Sequence, residues 1–184
     1  MLLGIDGAGK TTTAAALAGA ERKAGRPAVV LRNPSGRRWL ARRTARFGRE
    51  IPVRWVDRFE TVVRTGNVLV SRARARRREG LVVLDRHLVC QVVLREVRGL
   101  PPGRLLSRLS AALLRPDTVV VLDVPAEVAR ERIDIRAQDH ESLEHLRTTR
   151  DAYLRLARAR EWTVVDATGT TDATVPAIAE AAGL

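Results

Sequence analysis

The chain has one cysteine, Cys90, among its 184 residues. An internal disulfide is therefore excluded, and a reducing compartment is the expected setting. Lysine is almost absent: Lys10 and Lys23 are the only two, so the net charge of +12 is carried by arginine. Aromatic residues make up 3%, too few for a platform that stacks single-stranded nucleic acid. No apolar run approaches the ~20 residues of a membrane span, so no membrane partner is expected. The stretch before the first glycine loop is too short for a signal peptide, which makes a cytoplasmic location the expectation. The length suits one domain, residues 1–184, with a real core.

The arginine excess has two readings. One is a nucleic-acid or membrane-surface binder. The other is a residue bias combined with a site for polyanionic nucleotides. The densest basic run, residues 72–78, has the pattern of a solvated helix face. The second reading is favoured, and nucleic acid is not an expected partner.

What is present is organised around Gly4-Ile5-Asp6-Gly7-Ala8-Gly9-Lys10-Thr11-Thr12. Gly4, Gly9, Lys10 and Thr11 fit the phosphate-loop spacing of Gly, four residues, then Gly-Lys-Ser/Thr. Gly7 and Gly9 allow backbone turns that point consecutive N–H groups at one anion. Lys10 adds charge for the outer phosphates, and the Thr11 hydroxyl is a candidate Mg²⁺ ligand. A helix starting here aims its positive end at the phosphates. The apolar Met1-Leu2-Leu3 before the loop and the alanine-rich run after it argue against a chance glycine turn.

Further along, helices are expected over 11–24, 37–47, 53–79, 87–99, 104–114, 126–135, 143–160 and 171–182. Strands are expected over 27–31, 81–84, 118–124 and 162–165, besides the opening three residues. Gly66 is a weak point within the 53–79 helix. This alternation predicts an α/β fold of P-loop NTPase type. It has a parallel five-stranded sheet with helices on both faces and a short basic lid over about 130–142. Three residues before Gly4 are short for a central strand, so either the start is late or an edge of the sheet is truncated.

A phosphate loop alone does not separate ATPase, GTPase and kinase. No guanine-reading Asn-Lys-x-Asp motif occurs. A small kinase needs a second anion site and a closing lid. Asp85-Arg86, at the end of an apolar strand, supplies the first: Asp85 to organise Mg²⁺ or its waters, Arg86 to grip an acceptor phosphate bidentately. A structural ion pair at a strand end is the plainer alternative. The lid candidate, 130–141, carries Arg130, Arg132 and Arg136, whose charges can offset the transferring phosphoryl. An ordinary solvated helix face is its alternative.

These motifs resemble thymidylate kinases from end to end. The loop at 4–12 is similar to that family's, including the acid at Asp6, and Asp85-Arg86-His87 matches its Asp-Arg followed by a ring residue. Pro116-Asp117, residues 122–125, and Glu127 to Ile133 follow its fourth strand and next helix. Tyr153-Leu154 and Leu156-Ala157 resemble a late helix, and residues 164–167 resemble the segment beside the adenine. The resemblance implies transfer of the γ-phosphoryl of ATP to dTMP, with Mg²⁺, in a homodimer. It implies that residues 4–12 bind ATP, and that Lys10, Asp85, Arg86, Arg132 and Arg136 form the catalytic set. Thr11 and Asp85 would serve the metal, while Asp6, Arg64, Arg86 and Gln91 would serve the acceptor. Ala8 stands where one subclass carries an arginine, which places that charge on Arg132 or Arg136.

Departures fall on acceptor recognition. Arg32-Asn33-Pro34-Ser35-Gly36-Arg37 replaces Arg-Glu-Pro-Gly-Gly-Thr, and Cys90, Gln91 and Leu94 replace Ser, Thr or Asn, and Tyr. Gln91 can hydrogen-bond a base edge. Phe59 is the nearest aromatic for stacking, with core packing as its alternative. Two other functions stay open on the residues: a kinase of the same fold with another nucleotide, nucleoside or small-metabolite acceptor, and a basic nucleotide-binding module that contacts nucleic acid.

Overall fold

The computed structural model describes residues 1–33, 52–101, 103, 106, 108, 112, 116–136 and 141–184. The expected helix over 37–47, most of that over 104–114, and residues 137–140 of the lid lie outside the described residues. Five strands form one sheet: β1 (Leu2–Leu3), β2 (Ala28–Arg32), β3 (Leu81–Asp85), β4 (Val120–Asp123) and β5 (Thr163–Asp166). Their order is β2-β3-β1-β4-β5, and the pairings of β1 with β3 and β4, and of β4 with β5, are parallel. The described helices are α1 (Lys10–Lys23), α2 (Val53–Ala75), α3 (Leu88–Val97), α4 (Ala126–Ile135), α5 (Leu143–Ala159) and α6 (Thr171–Ala182). This is the predicted α/β architecture.

The chain divides into two compact units. The first comprises Met1–Leu31, Arg78–Asp85 and Pro116–Leu184. Here α1 packs on β1, β3 and α6, while α5 packs on β4, β5 and α4. Leu2, Leu3, Val120, Val121 and Leu122 fill its centre with Ile133, Leu146 and Ile178. Burial on both faces explains why these strands read as continuous apolar runs rather than alternations. The second unit comprises Arg32–Arg77 and Arg86–Arg115. In it α2 packs on α3, and Val68, Leu88 and Leu106 form an apolar cluster with Val92 against it.

Two expectations are corrected. The short first strand does not lie at an edge: β1 sits in the middle of the sheet, between β3 and β4. Its two residues are extended by Met1, whose carbonyl accepts from Val120 N–H at 2.9 Å and whose ammonium donates to the Thr118 carbonyl at 2.7 Å. The long helix ends at Ala75 rather than at Glu79. Arginines at 72, 74, 76, 77 and 78 place like charges three and four residues apart, where a helix would hold them close. Elsewhere, local signals fix the ends well. α4 follows Pro125, and α6 runs from the Thr170 cap, whose hydroxyl accepts from Ala173 N–H, to the left-handed Gly183.

Candidate active site

The sheet order puts the ends of β1 and β3 side by side in the first unit, with Leu2 in register with Asp85. The chain leaving β1 turns through the glycine loop into α1. Gly7 has φ +81°, and a side chain there would meet the Ala129 carbonyl oxygen at 2.4 Å. The loop is thus pressed onto the backbone of α4, and glycine is required there for both conformation and space. Gly9 caps α1 in the left-handed conformation, and its carbonyl accepts from Thr13 N–H at 2.9 Å. Ala8 is buried. Gly4 and Ile5 are buried as well, Asp6 is half-buried, and Thr12 is exposed on the first turn of α1.

Lys10 is only 4% exposed, and its Nζ donates to the Ile5 carbonyl at 2.5 Å. A cation is thereby folded back over the loop's own backbone. The Thr11 hydroxyl donates to Asp85 Oδ2 at 2.7 Å. Asp85 is 3% exposed, and its other oxygen, Oδ1, has no hydrogen-bond partner among the described residues. An unsatisfied buried acceptor costs about 1–3 kcal/mol. A threonine hydroxyl beside a spare carboxylate oxygen is the hard oxygen donor set that Mg²⁺ takes together with phosphate oxygens and water. The described residues contain no cluster of three or more His, Cys, Asp and Glu side chains fit for a metal. A phosphate-bound Mg²⁺ does not need one.

The lid arginines have defined partners. Arg132 donates to three carbonyls of the loop after β5: Ala167 at 3.0 Å, Thr168 at 2.7 Å and Gly169 at 3.2 Å. It ties α4 to that loop. Arg130 pairs with Asp134 and donates to the Glu141 carbonyl at 3.1 Å. Arg136 is exposed at the end of α4, with its Nε on the Arg132 carbonyl at 3.0 Å. Sequence reasoning missed the bidentate pair of Arg150 with Asp123, at 2.6 and 2.8 Å, which joins α5 to the end of β4. Its only sequence signal is an acid at a strand's carboxyl end.

Of the residues expected at the acceptor, Arg64, Arg86 and Gln91 belong to the second unit, and Asp6 to the first. Arg86 has φ +75°, a left-handed conformation that is strained for a non-glycine residue. Such strain is held by surrounding structure and concentrates at functional positions. His87 follows, 1% exposed, with Nδ1 accepting from Val89 N–H at the start of α3. Burial pushes its pKa down to about 4. On α2, Asp57, Glu60, Arg64, Val68 and Ser71 all face inward, at spacings of three and four residues. Asp57 pairs with Arg95, and Glu60 Oε2 accepts from Arg98 at 3.0 Å. Gln91, fully buried, donates its Nε2 to Asp57 Oδ1 at 2.9 Å and to Glu60 Oε2 at 3.5 Å. Arg64, 1% exposed, donates Nη1 to the Asn33 carbonyl at 3.4 Å. Arg64 and Gln91 are thus part of one buried polar face. Phe59 is half-buried.

The family model described as Thymidylate kinase matches residues 3–178. The chain belongs to the thymidylate kinase family. It is 34% identical over 184 residues to a thymidylate kinase of Xylella fastidiosa (strain 9a5c), covering 95% of this chain and 85% of that protein. A thymidylate kinase of Xylella fastidiosa (strain M12) is 35% identical over 175 residues, covering 90% and 77%. One from Xanthomonas euvesicatoria pv. vesicatoria (strain 85-10) is 36% identical over 160 residues, covering 79% and 67%. As in other thymidylate kinases, the chain is read as an ATP-dependent nucleoside monophosphate kinase. Among the described residues no helix is long and apolar enough to cross a membrane.

Proposed function

We propose that this chain transfers the γ-phosphoryl of ATP to dTMP, giving dTDP and ADP. The observation that carries the reading is the Thr11–Asp85 hydrogen bond beside a glycine loop that caps α1 and folds Lys10 over itself. Family membership supports the choice of acceptor.

In this reading residues 4–12 hold ATP. The loop N–H groups and the N-terminus of α1 bind its phosphates, and Lys10 leaves the Ile5 carbonyl to neutralise the outer ones. Thr11 and Asp85 hold Mg²⁺, which supplies charge neutralisation when bound. Arg86 grips the acceptor phosphate, and Asp6, Arg64 and Gln91 orient the rest of the acceptor. Arg136 offsets developing charge, while Arg132 acts from the loop it ties. No covalent intermediate is needed, because positioning and charge compensation lower the barrier. We take residues 1–184 as one kinase domain, with 130–142 as its lid, working in the cytoplasm as a homodimer.

A panel of acceptors with coupled ADP detection tests this. dTMP is expected to raise ADP formation far above a no-acceptor control, and Lys10→Ala to abolish it while the circular dichroism spectrum is retained. ADP formation with dTMP no greater than the control, or normal turnover in Lys10→Ala, would overturn the reading.

A further inference from the structure

Three strands of the first unit end on an aspartate: β3 on Asp85, β4 on Asp123 and β5 on Asp166. They lie at the carboxyl edge of the sheet, the edge that takes the ligand in parallel α/β folds. A site for a polyanion thus has carboxylates along its rim, and each is dealt with differently. Asp85 takes the Thr11 hydroxyl and keeps Oδ1 spare. Asp166 accepts from Thr168 N–H at 2.8 Å, within its own loop. Asp123 is met by the guanidinium of Arg150, Nε to Oδ1 at 2.6 Å and Nη2 to Oδ2 at 2.8 Å. Glu127, in the first turn of α4, has its own partner in Arg147, which leaves Arg150 to Asp123.

Asp123 stands beside the phosphate loop. Leu3 is in register with Val121, and the approach carries on past β1: a side chain on Gly4 would meet the Leu122 carbonyl oxygen at 2.5 Å. Asp123 is therefore level with Ile5, whose carbonyl holds the Lys10 ammonium. The backbone is pinned there, because the Asp123 carbonyl accepts from Ala167 N–H at 2.8 Å. The Asp123 side chain is 23% exposed and that of Arg150 33%. A pair as open as this adds little to stability. What it does add is cancellation of charge next to the loop. An unpaired anion at this place would repel each incoming phosphate.

We propose that Arg150 is a positioning residue for ATP, acting through Asp123: it cancels a carboxylate that would otherwise oppose the polyphosphate at the glycine loop. This rests on the ATP site of the proposed function and is independent of the acceptor. Arg150→Met uncovers the anion. Asp123→Asn removes the anion and releases the cation. The two variants therefore act in opposite directions on a polyphosphate, whereas the two halves of a purely structural staple would act in the same direction.

The test is calorimetric binding of ADP with Mg²⁺, and of adenosine, without any acceptor. Arg150→Met should weaken ADP by about 5- to 10-fold and leave adenosine, which carries no charge, within about 2-fold. Raising KCl from about 50 to about 500 mM should shrink that defect, because the repulsion is screened. Asp123→Asn should bind ADP at least as tightly as the wild type, and the double variant should return to within about 2-fold of it. Arg150→Lys, which keeps the charge, should recover most of the affinity. In turnover, KM for ATP should follow the same order while KM for the acceptor stays put. If Arg150→Met does not fold, the double variant matching the wild type and Asp123→Asn not falling below it still decide. Unchanged ADP binding in Arg150→Met, equal losses in both single variants, or a parallel loss of adenosine overturns the inference and leaves the kinase reading standing. A wild-type chain that binds no ADP overturns both.

Discussion

The strained backbone at Arg86 allows conformation to be separated from chemistry. Arg86→Ala and Arg86→Gly both delete the guanidinium and every contact it makes. They differ only in what a Cβ costs at φ +75°. In the left-handed region that cost is about 1–2 kcal/mol for an L-residue, and glycine does not bear it. Glycine's looser unfolded state takes back about 0.5–1 kcal/mol. Arg86→Gly should therefore be more stable than Arg86→Ala by about 0.5–1 kcal/mol, reversing the order found in regular secondary structure. In a chain of this size that is roughly 1–4 °C in Tm. Paired urea titrations and calorimetric scans at neutral pH resolve such a difference. Both variants should lose about 100-fold or more in kcat/KM for the acceptor, because charge-assisted bonds to phosphate vanish in each. Equal stability of the two, or the alanine variant being the more stable, would refute the strain argument. Retained acceptor kinetics would refute the role of the side chain.

Gly7→Ala combines a forbidden φ with a 2.4 Å approach to the Ala129 carbonyl. It should cost more than about 1 kcal/mol in denaturant titrations and weaken ATP binding measured by fluorescence. His87 supplies a pH dependence. Its folded pKa, about 4, lies below the ordinary 6.5, so between those values the unfolded chain binds more protons. Stability from this group is full above pH 6.5 and falls as the pH drops towards 4, with a slope approaching 1.4 kcal/mol per pH unit. His87→Asn, which keeps an acceptor for Val89 N–H, should flatten that stretch of the stability–pH curve; an unchanged slope would locate the titration elsewhere. Arg132→Ala should release the carbonyls of Ala167, Thr168 and Gly169, read as faster amide exchange across 167–170. Unaltered exchange there would show that the loop holds itself.

The glycine loop and its turn into α1 were legible in the sequence because its glycines and Lys10 act through neighbours a few residues away, whereas the partner of Thr11 lies on β3. The ends of α4 and α6 were legible for the same reason: Pro125, Thr170 and Gly183 are local signals. The buried face of α2 was not. Asp57, Glu60 and Arg64 have helical spacing, but pattern reading assigns charged residues to solvent. Only the arrival of Arg95 and Gln91 from α3, and of Arg98 at its cap, makes it possible to bury the two carboxylates, while Arg64 finds the Asn33 carbonyl. Arg132 fits a lid arginine until the loop 35 residues downstream is seen to occupy it. The length of β1 is a local property, whereas its place in the sheet is set by partners far along the chain.

That placement has a consequence for synthesis. Leu2 pairs with Asp85 on one side and with Val120 on the other, and Gly7 rests on Ala129. A ribosome releases the glycine loop long before it releases either wall. The nascent loop is then a flexible, apolar-tethered segment, and synthesis must reach β4 and α4 before a nucleotide cradle can close. ATP thus cannot act as a folding ligand during early translation, and Leu2 and Leu3 stay exposed to chaperones or aggregation until β4 emerges. Ribosome-stalled chains ending just before and just after residues 120–129 have cleared the exit tunnel should differ in kind: the first blind to ATP, the second protected by it.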